Sequence, residues 1–88
     1  MSENQAEILQ ERGSRELTFG EKAVGLTFNP GGHVAVEHIK KACAALIDDL
    51  NQDRVLTTSG EKKRMYSEAI TAIQTGQMWA VKAATWQY

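Results

Sequence analysis

The chain has 88 residues, a formal net charge of −1 and a single cysteine, which bounds it to one small domain without an internal disulfide. That balance leaves no broad basic face for duplex DNA or an anionic membrane, and no apolar run approaches the ~20 residues of a membrane span. A domain this small is marginal alone, and no Cys/His cluster suggests a structural zinc, so self-association is the remaining source of stability.

Residues 1–16 form a polar N-terminal segment in which Ile8 and Leu9 are the only large apolar pair. Glu3 to Arg12 has the pattern of a short helix ended by Gly13. The acidic start, Met1-Ser-Glu-Asn-Gln-Ala-Glu7, is unlike a signal peptide, so the expectation is a soluble cytoplasmic protein.

Residues 17–88 read as a helical hairpin domain. Thr18-Phe-Gly-Glu21 is a capping-box pattern that opens a short helical turn through Val24, and Gly25 punctuates it. Leu26 to Gly32 reads as an extended piece followed by a tight turn, because Asn29-Pro-Gly-Gly32 is dense turn chemistry. A helix is predicted from His33 to about Asp53. Val36, Ile39, Cys43, Leu46 and Leu50 recur at spacings of 3, 4, 3 and 4, and Ile47 widens that seam. Lys40, Lys41, Asp48, Asp49 and Asp53 fall off it. Arg54 to Ser59 is a short connection, of the kind that joins antiparallel neighbours.

Thr58-Ser-Gly-Glu61 is a second capping-box pattern, and nothing but Gly60 and Gly76 interrupts a helix from there to about residue 86, roughly 40 Å at ~1.5 Å per residue. Its small residues, Ala69, Ala72, Gly76, Ala80 and Ala83 or Ala84, fall on one stripe where a second helix can approach closely. Met65, Tyr66, Ile70, Ile73, Met78, Trp79, Val81 and Trp86 flank the stripe on both sides. A helix apolar over so much of its girth needs several neighbours, which a short chain supplies by self-association. The fold class is therefore all-α, a hairpin with a long C-terminal helix that assembles into a symmetric oligomer.

Few residues carry a pattern of chemistry. Cys43 lies on the apolar seam as an inert thiol. His33 and His38 are five apart and do not share a helical face, so no metal site is expected. Asp48 and Asp49 diverge around the helix and read as a solvated face. No nucleotide-binding glycine motif, nucleophile elbow or zinc-protease motif is present, so neither catalysis nor a cofactor is expected. The turn at Phe28-Asn29-Pro30 is more informative. An aromatic beside a glycine-rich turn, followed by Lys40, offers a stacking surface and a phosphate partner. The plainer alternative is that Phe28 packs into the hairpin and Lys40 is a solvated lysine. Lys62-Lys63-Arg64 opens the long helix and would make a ring of positive charge if several chains met there. Thr71, seven residues after Arg64, lies near the same face.

Leu17-Thr-Phe-Gly-Glu-Lys-Ala-Val-Gly-Leu-Thr-Phe-Asn-Pro-Gly-Gly32, Ile39-Lys40, Leu46-Ile-Asp48, Ala69-Ile-Thr-Ala-Ile-Gln74 and Gln77-Met-Trp-Ala-Val-Lys-Ala-Ala-Thr-Trp86 together resemble small tailed-phage proteins. These carry the hairpin domain shared by the phage anti-CBASS protein 2 and Thoeris anti-defence protein 1 families. The resemblance spans roughly residues 17–86 and implies a sponge: a helical oligomer of two or six chains that sequesters nucleotide second messengers of bacterial immunity without cleaving them, in the host cytoplasm. In the anti-CBASS branch it implies cyclic dinucleotides held between paired subunits, with Phe28 as the stacking aromatic and Lys40 as the phosphate partner, beside Asn29 and Pro30. It also implies a separate trinucleotide pocket to which Thr71, and more distantly Arg64, would contribute. Two departures stand out. Phe28 carries no hydroxyl, and Ser67 stands one turn before Thr71 where a basic residue would be looked for. The strand-rich part of the Thoeris branch is absent, which weakens transfer of its cyclic ADP-ribose-type ligand. The competing reading is an interaction protein that binds a partner helix through the Trp79/Trp86 face.

Overall fold

The computed structural model describes residues 15–88, and the helix expected over Glu3–Arg12 lies outside them. The described residues are all-helical, with a short helix α1 (Phe19–Ala23), then α2 (Val34–Leu56) and α3 (Gly60–Ala84). Helices α2 and α3 form the hairpin, and α1 packs across α2.

Helix α1 has five residues and depends on its ends. Thr18 accepts from the Glu21 N–H at 3.1 Å, while the Glu21 carboxylate accepts from the Thr18 N–H at 2.9 Å, closing the expected capping box. At the other end the Leu26 N–H reaches the Glu21 carbonyl and the Gly25 N–H reaches Lys22, with Gly25 at φ +62°. This is the Schellman arrangement, which needs a left-handed residue after the helix. Gly20 sits flat against α2: a β-carbon there would lie 2.1 Å from the Ala44 carbonyl oxygen. That closeness lets the Gly20 N–H donate to Asp48 Oδ1 at 2.7 Å. Asp48 is thus half-buried at a helix–helix contact, which corrects its reading as part of a solvated face.

Helix α2 runs three residues past the expected Asp53, because Arg54-Val55-Leu56 contains nothing that breaks a helix. It ends at Thr57, whose backbone turns extended (φ −84°, ψ 149°). Lys63 Nζ then donates to the Arg54 carbonyl at 2.9 Å, satisfying one of the carbonyls that a helix end leaves open. The connection is reduced to Thr57, Thr58 and Ser59. The start of α3 also shifts by one residue. Ser59, not Thr58, is the N-cap and accepts from the Lys62 N–H at 3.2 Å. Glu61 is then one place too early to complete a capping box and pairs with Arg64 instead.

The core centres on Val24, Ala44, Ile47 and Ile70, with Ala23, Leu26, Cys43, Leu50 and Ile73 packed around it. The interior line of α2 is Val36, Lys40, Ala44 and Ile47, rotated from the expected seam. Leu46 is half-exposed at 49%, and Ile39, Cys43 and Leu50 lie at the margins. The cause is that α2 has two partners, so its buried face must serve α1 as well as α3. On α3 the buried residues are Ile70 and Gln77. The small-residue stripe is only partly covered: among the described residues nothing lies within 4 Å of a β-carbon built on Gly76, and Ala72 and Ala83 are exposed, while Ala69 and Ala80 are half-buried. Arg54 ties the three helices together, donating to Ser67 at 2.8 Å and to Asn51 at 2.6 Å with its guanidinium 5.3 Å from the Phe19 ring centroid.

Gly20→Ala should lower unfolding stability by about 2 kcal/mol, since backbone stands where the methyl must go. Gly76→Ala should raise it by up to ~1 kcal/mol through helix propensity if that face is open in solution. Urea unfolding of both variants checks this, and a loss at Gly76 would place a second helix against it. The Glu21 carboxyl is held below its ordinary value of 4.5, chiefly by the Thr18 N–H and then by Arg15. Its contribution to stability is therefore fully present above about pH 4.5 and lost as pH falls through the lower folded value. Glu21→Gln should flatten that part of an acid-unfolding curve.

Candidate ligand-binding cleft

The turn between α1 and α2 is held by its own polar groups. Asn29 clamps the start of α2 from both sides: its Oδ1 accepts from the His33 N–H at 3.2 Å and its Nδ2 donates to the His33 carbonyl at 3.0 Å. The Gly32 N–H returns to the Asn29 carbonyl at 3.0 Å, and Gly31 and Gly32 take φ of +83° and +61°. These values favour glycine, and the pair brings the chain round sharply enough to leave Phe28 standing clear.

Lys40 sits beneath this turn and is 5% exposed. Its ammonium donates to the Gly25 carbonyl at 2.9 Å and to the Phe28 carbonyl at 2.5 Å, and lies 5.5 Å from the centroid of the Phe28 ring. An ammonium is a tolerable buried group when carbonyl dipoles replace its water, and an aromatic face adds to that. Phe28 itself is 72% exposed. The alternative of a packed Phe28 and a solvated Lys40 therefore fails on both counts.

Phe28, Asn29, Pro30 and Lys40 together line a cleft of about 320 Å³. His33 and Val36 from the start of α2, and Val81 and Thr85 from the end of α3, complete it. Sequence reasoning had set His33 aside after finding no metal partner, although its place directly after the turn was a usable signal. Val81 and Thr85 become neighbours of the turn only through the antiparallel hairpin. The cleft offers an exposed aromatic face, a fixed positive charge at its floor and, among the described residues, no carboxylate. It suits a flat ring bearing an anion.

Arg64 and Thr71 also come together, with Ser67, Glu68 and Ala72, in a shallow depression on α3. Its electrostatics differ. Arg64 pairs with both Glu61 and Glu68, and the Arg64 guanidinium holds the Glu61 carboxyl below the ordinary carboxylate range. Lys63 is committed to the end of α2. The Ser67 hydroxyl, where a basic group was expected, accepts from Arg54 of α2 at 2.8 Å. Among the described residues no group of three or more His, Cys, Asp or Glu side chains could hold a metal ion, and no helix is long and apolar enough to cross a membrane.

Lys40→Met should cost about 2 kcal/mol or more, because two buried carbonyls lose their donor. Phe28→Ala should change stability by less than about 0.5 kcal/mol, as expected for an exposed side chain. Thermal or urea unfolding separates the two, and makes Phe28 the cleaner probe of ligand contacts.

No curated protein and no solved structure matches the chain. A family match does cover residues 21–85, and its description is Acb2/Tad1, hairpin domain. It takes in the second half of α1, the Phe28 turn and the whole α2–α3 hairpin, so the chain belongs to the Acb2/Tad1 hairpin-domain family.

Proposed function

We propose that the protein is a sponge that binds and sequesters a cyclic oligonucleotide second messenger of bacterial immunity without cleaving it, to the benefit of a phage or prophage. The observation that carries this reading is the pairing of an exposed Phe28 with a buried Lys40 in one cleft, in a chain of the Acb2/Tad1 hairpin-domain family. Phe28 stacks on a base, a contact of about 1–3 kcal/mol. Lys40 supplies positive charge from beneath, while Asn29 and Pro30 fix the turn that presents the ring.

The size of the cleft supports an assembled site. At about 320 Å³ it lies at the small end of ligand pockets, suited to one nucleotide unit rather than a cyclic dinucleotide. Two copies related by a twofold axis would present the same ring and charge to the two halves of a symmetric ligand. The apolar surface left open on α3 favours such assembly, into a dimer or a hexamer. Arg64 and Thr71 form the candidate second, trinucleotide-class pocket, whose charge a neighbouring subunit would have to supplement. A partner helix seated on Trp79 and Trp86, which are 66% and 57% exposed, is the second reading.

Native mass spectrometry against cyclic di- and trinucleotides and cyclic ADP-ribose isomers tests the proposal. The expected outcome is a discrete oligomer that takes up one class at integral stoichiometry and releases it intact on denaturation. Phe28→Ala should weaken dinucleotide binding about 10- to 100-fold. An oligomer that binds none of the panel, and that captures a protein partner unaffected by Phe28→Ala, would favour the second reading.

A further inference from the structure

We infer that His33 is a ligand-contacting residue of the Phe28 cleft and makes its affinity for a phosphodiester depend on pH across the neutral range; this rests on the sponge reading of that cleft. The imidazole lines the cleft opposite a charge that is already committed. Lys40 spends two of its N–H donors on the Gly25 and Phe28 carbonyls, so at most one remains for an anion. The cleft's other polar groups are spent as well: both ends of the Asn29 amide hold the backbone of His33, and the Thr85 hydroxyl donates to the Val81 carbonyl at 2.9 Å. Among the described residues the His33 side chain is not used in this way. Although His33 is the N-cap of α2, its side chain makes no cap hydrogen bond.

Its position is nevertheless defined. The Asn29 clamp fixes its backbone, and its Nε2 lies 3.3 Å from where a β-carbon on Gly31 would stand. The ring thus lies over the turn and on the cleft wall. An imidazole there donates one hydrogen bond when neutral and two when protonated, and the protonated form adds a full charge next to a bound phosphate. Few competing groups face it. Within the cleft the other charge is Lys40, and the α3 side contributes only Val81 and Thr85. Glu37, one turn along α2, is paired with Lys41 at 2.8 Å. Lys82 on α3 sits over the Trp79 and Trp86 rings.

Linkage sets the sign. A bound phosphodiester favours the imidazolium, so affinity is greatest at low pH and is lost as pH rises through the titration of the complex. The second histidine provides a control, since His38 lies in a different depression with Val34, Glu37 and Lys41.

The test is calorimetric titration of the full chain with cyclic di-AMP, cyclic di-GMP and cyclic GMP–AMP from about pH 8 to about pH 5.5. Expected is a rise in affinity of about fivefold to tenfold towards low pH for the dinucleotide that binds, with His33→Gln nearly flat and His38→Gln like the wild type. Equal wild-type affinity across the range, or an unchanged slope in His33→Gln, would overturn the role of His33 and leave the sponge reading standing. Absence of binding by all three dinucleotides at every pH would overturn the role of His33 and the dinucleotide reading of the Phe28 cleft, while uptake of a cyclic trinucleotide or a cyclic ADP-ribose isomer in the same assay would leave the sponge reading standing.

Discussion

The structure depends on one buried charge. The Lys40 ammonium holds the Gly25 and Phe28 carbonyls from below, and these two residues bracket the segment on which the cleft is built. Gly25 closes α1, and Phe28 is the exposed ring. Placing an ammonium where 5% of the residue is accessible is unfavourable unless dipoles replace the lost water. Carbonyls pointing inward from an irregular loop have the opposite need, since they too must find donors. Each requirement answers the other, and neither a leucine nor a solvated lysine would meet both. The same logic recurs where Gln74 donates to the Ala23 carbonyl at 3.0 Å and Asp48 accepts from Gly20. Helix α1 is too short to be stable by propensity. Polar side chains of α2 and α3 that reach its backbone hold it in place.

This explains what could be read from the sequence and what could not. Local chemistry was legible, because it acts within four or five residues: the Thr18–Glu21 capping box, the stop at Gly25, the turn at Asn29-Pro-Gly-Gly32, and the two long helices. The interior face of α2 was not. Hydrophobic periodicity placed the seam through Ile39 and Leu46, yet the buried line passes through Lys40 and Ala44. Periodicity scores apolar side chains against a single partner, and here a lysine belongs to the interior while a glycine on a second partner decides how close that partner lies. Gln77, only 6% exposed, was invisible for the same reason. The Thr58 capping box failed on a smaller point. The first helical residue moved by one, and a capping box does not survive a shift of one residue.

The surface of α3 presents the complementary problem. Its apolar residues exceed what α2 can cover: Met65, Met78 and Trp79, and Trp86 just beyond its end, remain exposed at 49%, 66%, 66% and 57%. Lys82 partly shields the two indoles, its ammonium lying 5.4 and 5.6 Å from their centroids, and Tyr88 packs edge-on against Trp86 at 5.4 Å. A lysine stem over aromatic rings is a partial cover that a better-packed neighbour displaces readily. The stripe of Ala72, Gly76 and Ala83 lies open on the same helix, and small residues permit the closest helix–helix approach. These are the features of a helix with one covered face and a second left open among the described residues.

Two cations were singled out by the sequence, and the structure separates them by who already holds them. Lys40 is bound by neutral carbonyls, which orient its charge without cancelling it. Arg64 is bound by two carboxylates on its own helix, which cancel it at close range and leave the depression near Thr71 with little positive potential. Exposed ion pairs of this sort are weak, so a strongly anionic ligand can displace one carboxylate, but it must first overcome the repulsion of Glu61 and Glu68. Among the described residues no carboxylate lines the Phe28 cleft. The cleft at the turn therefore keeps a positive charge that no carboxylate among its lining residues cancels, whereas the depression on α3 holds its one cation between two acidic neighbours.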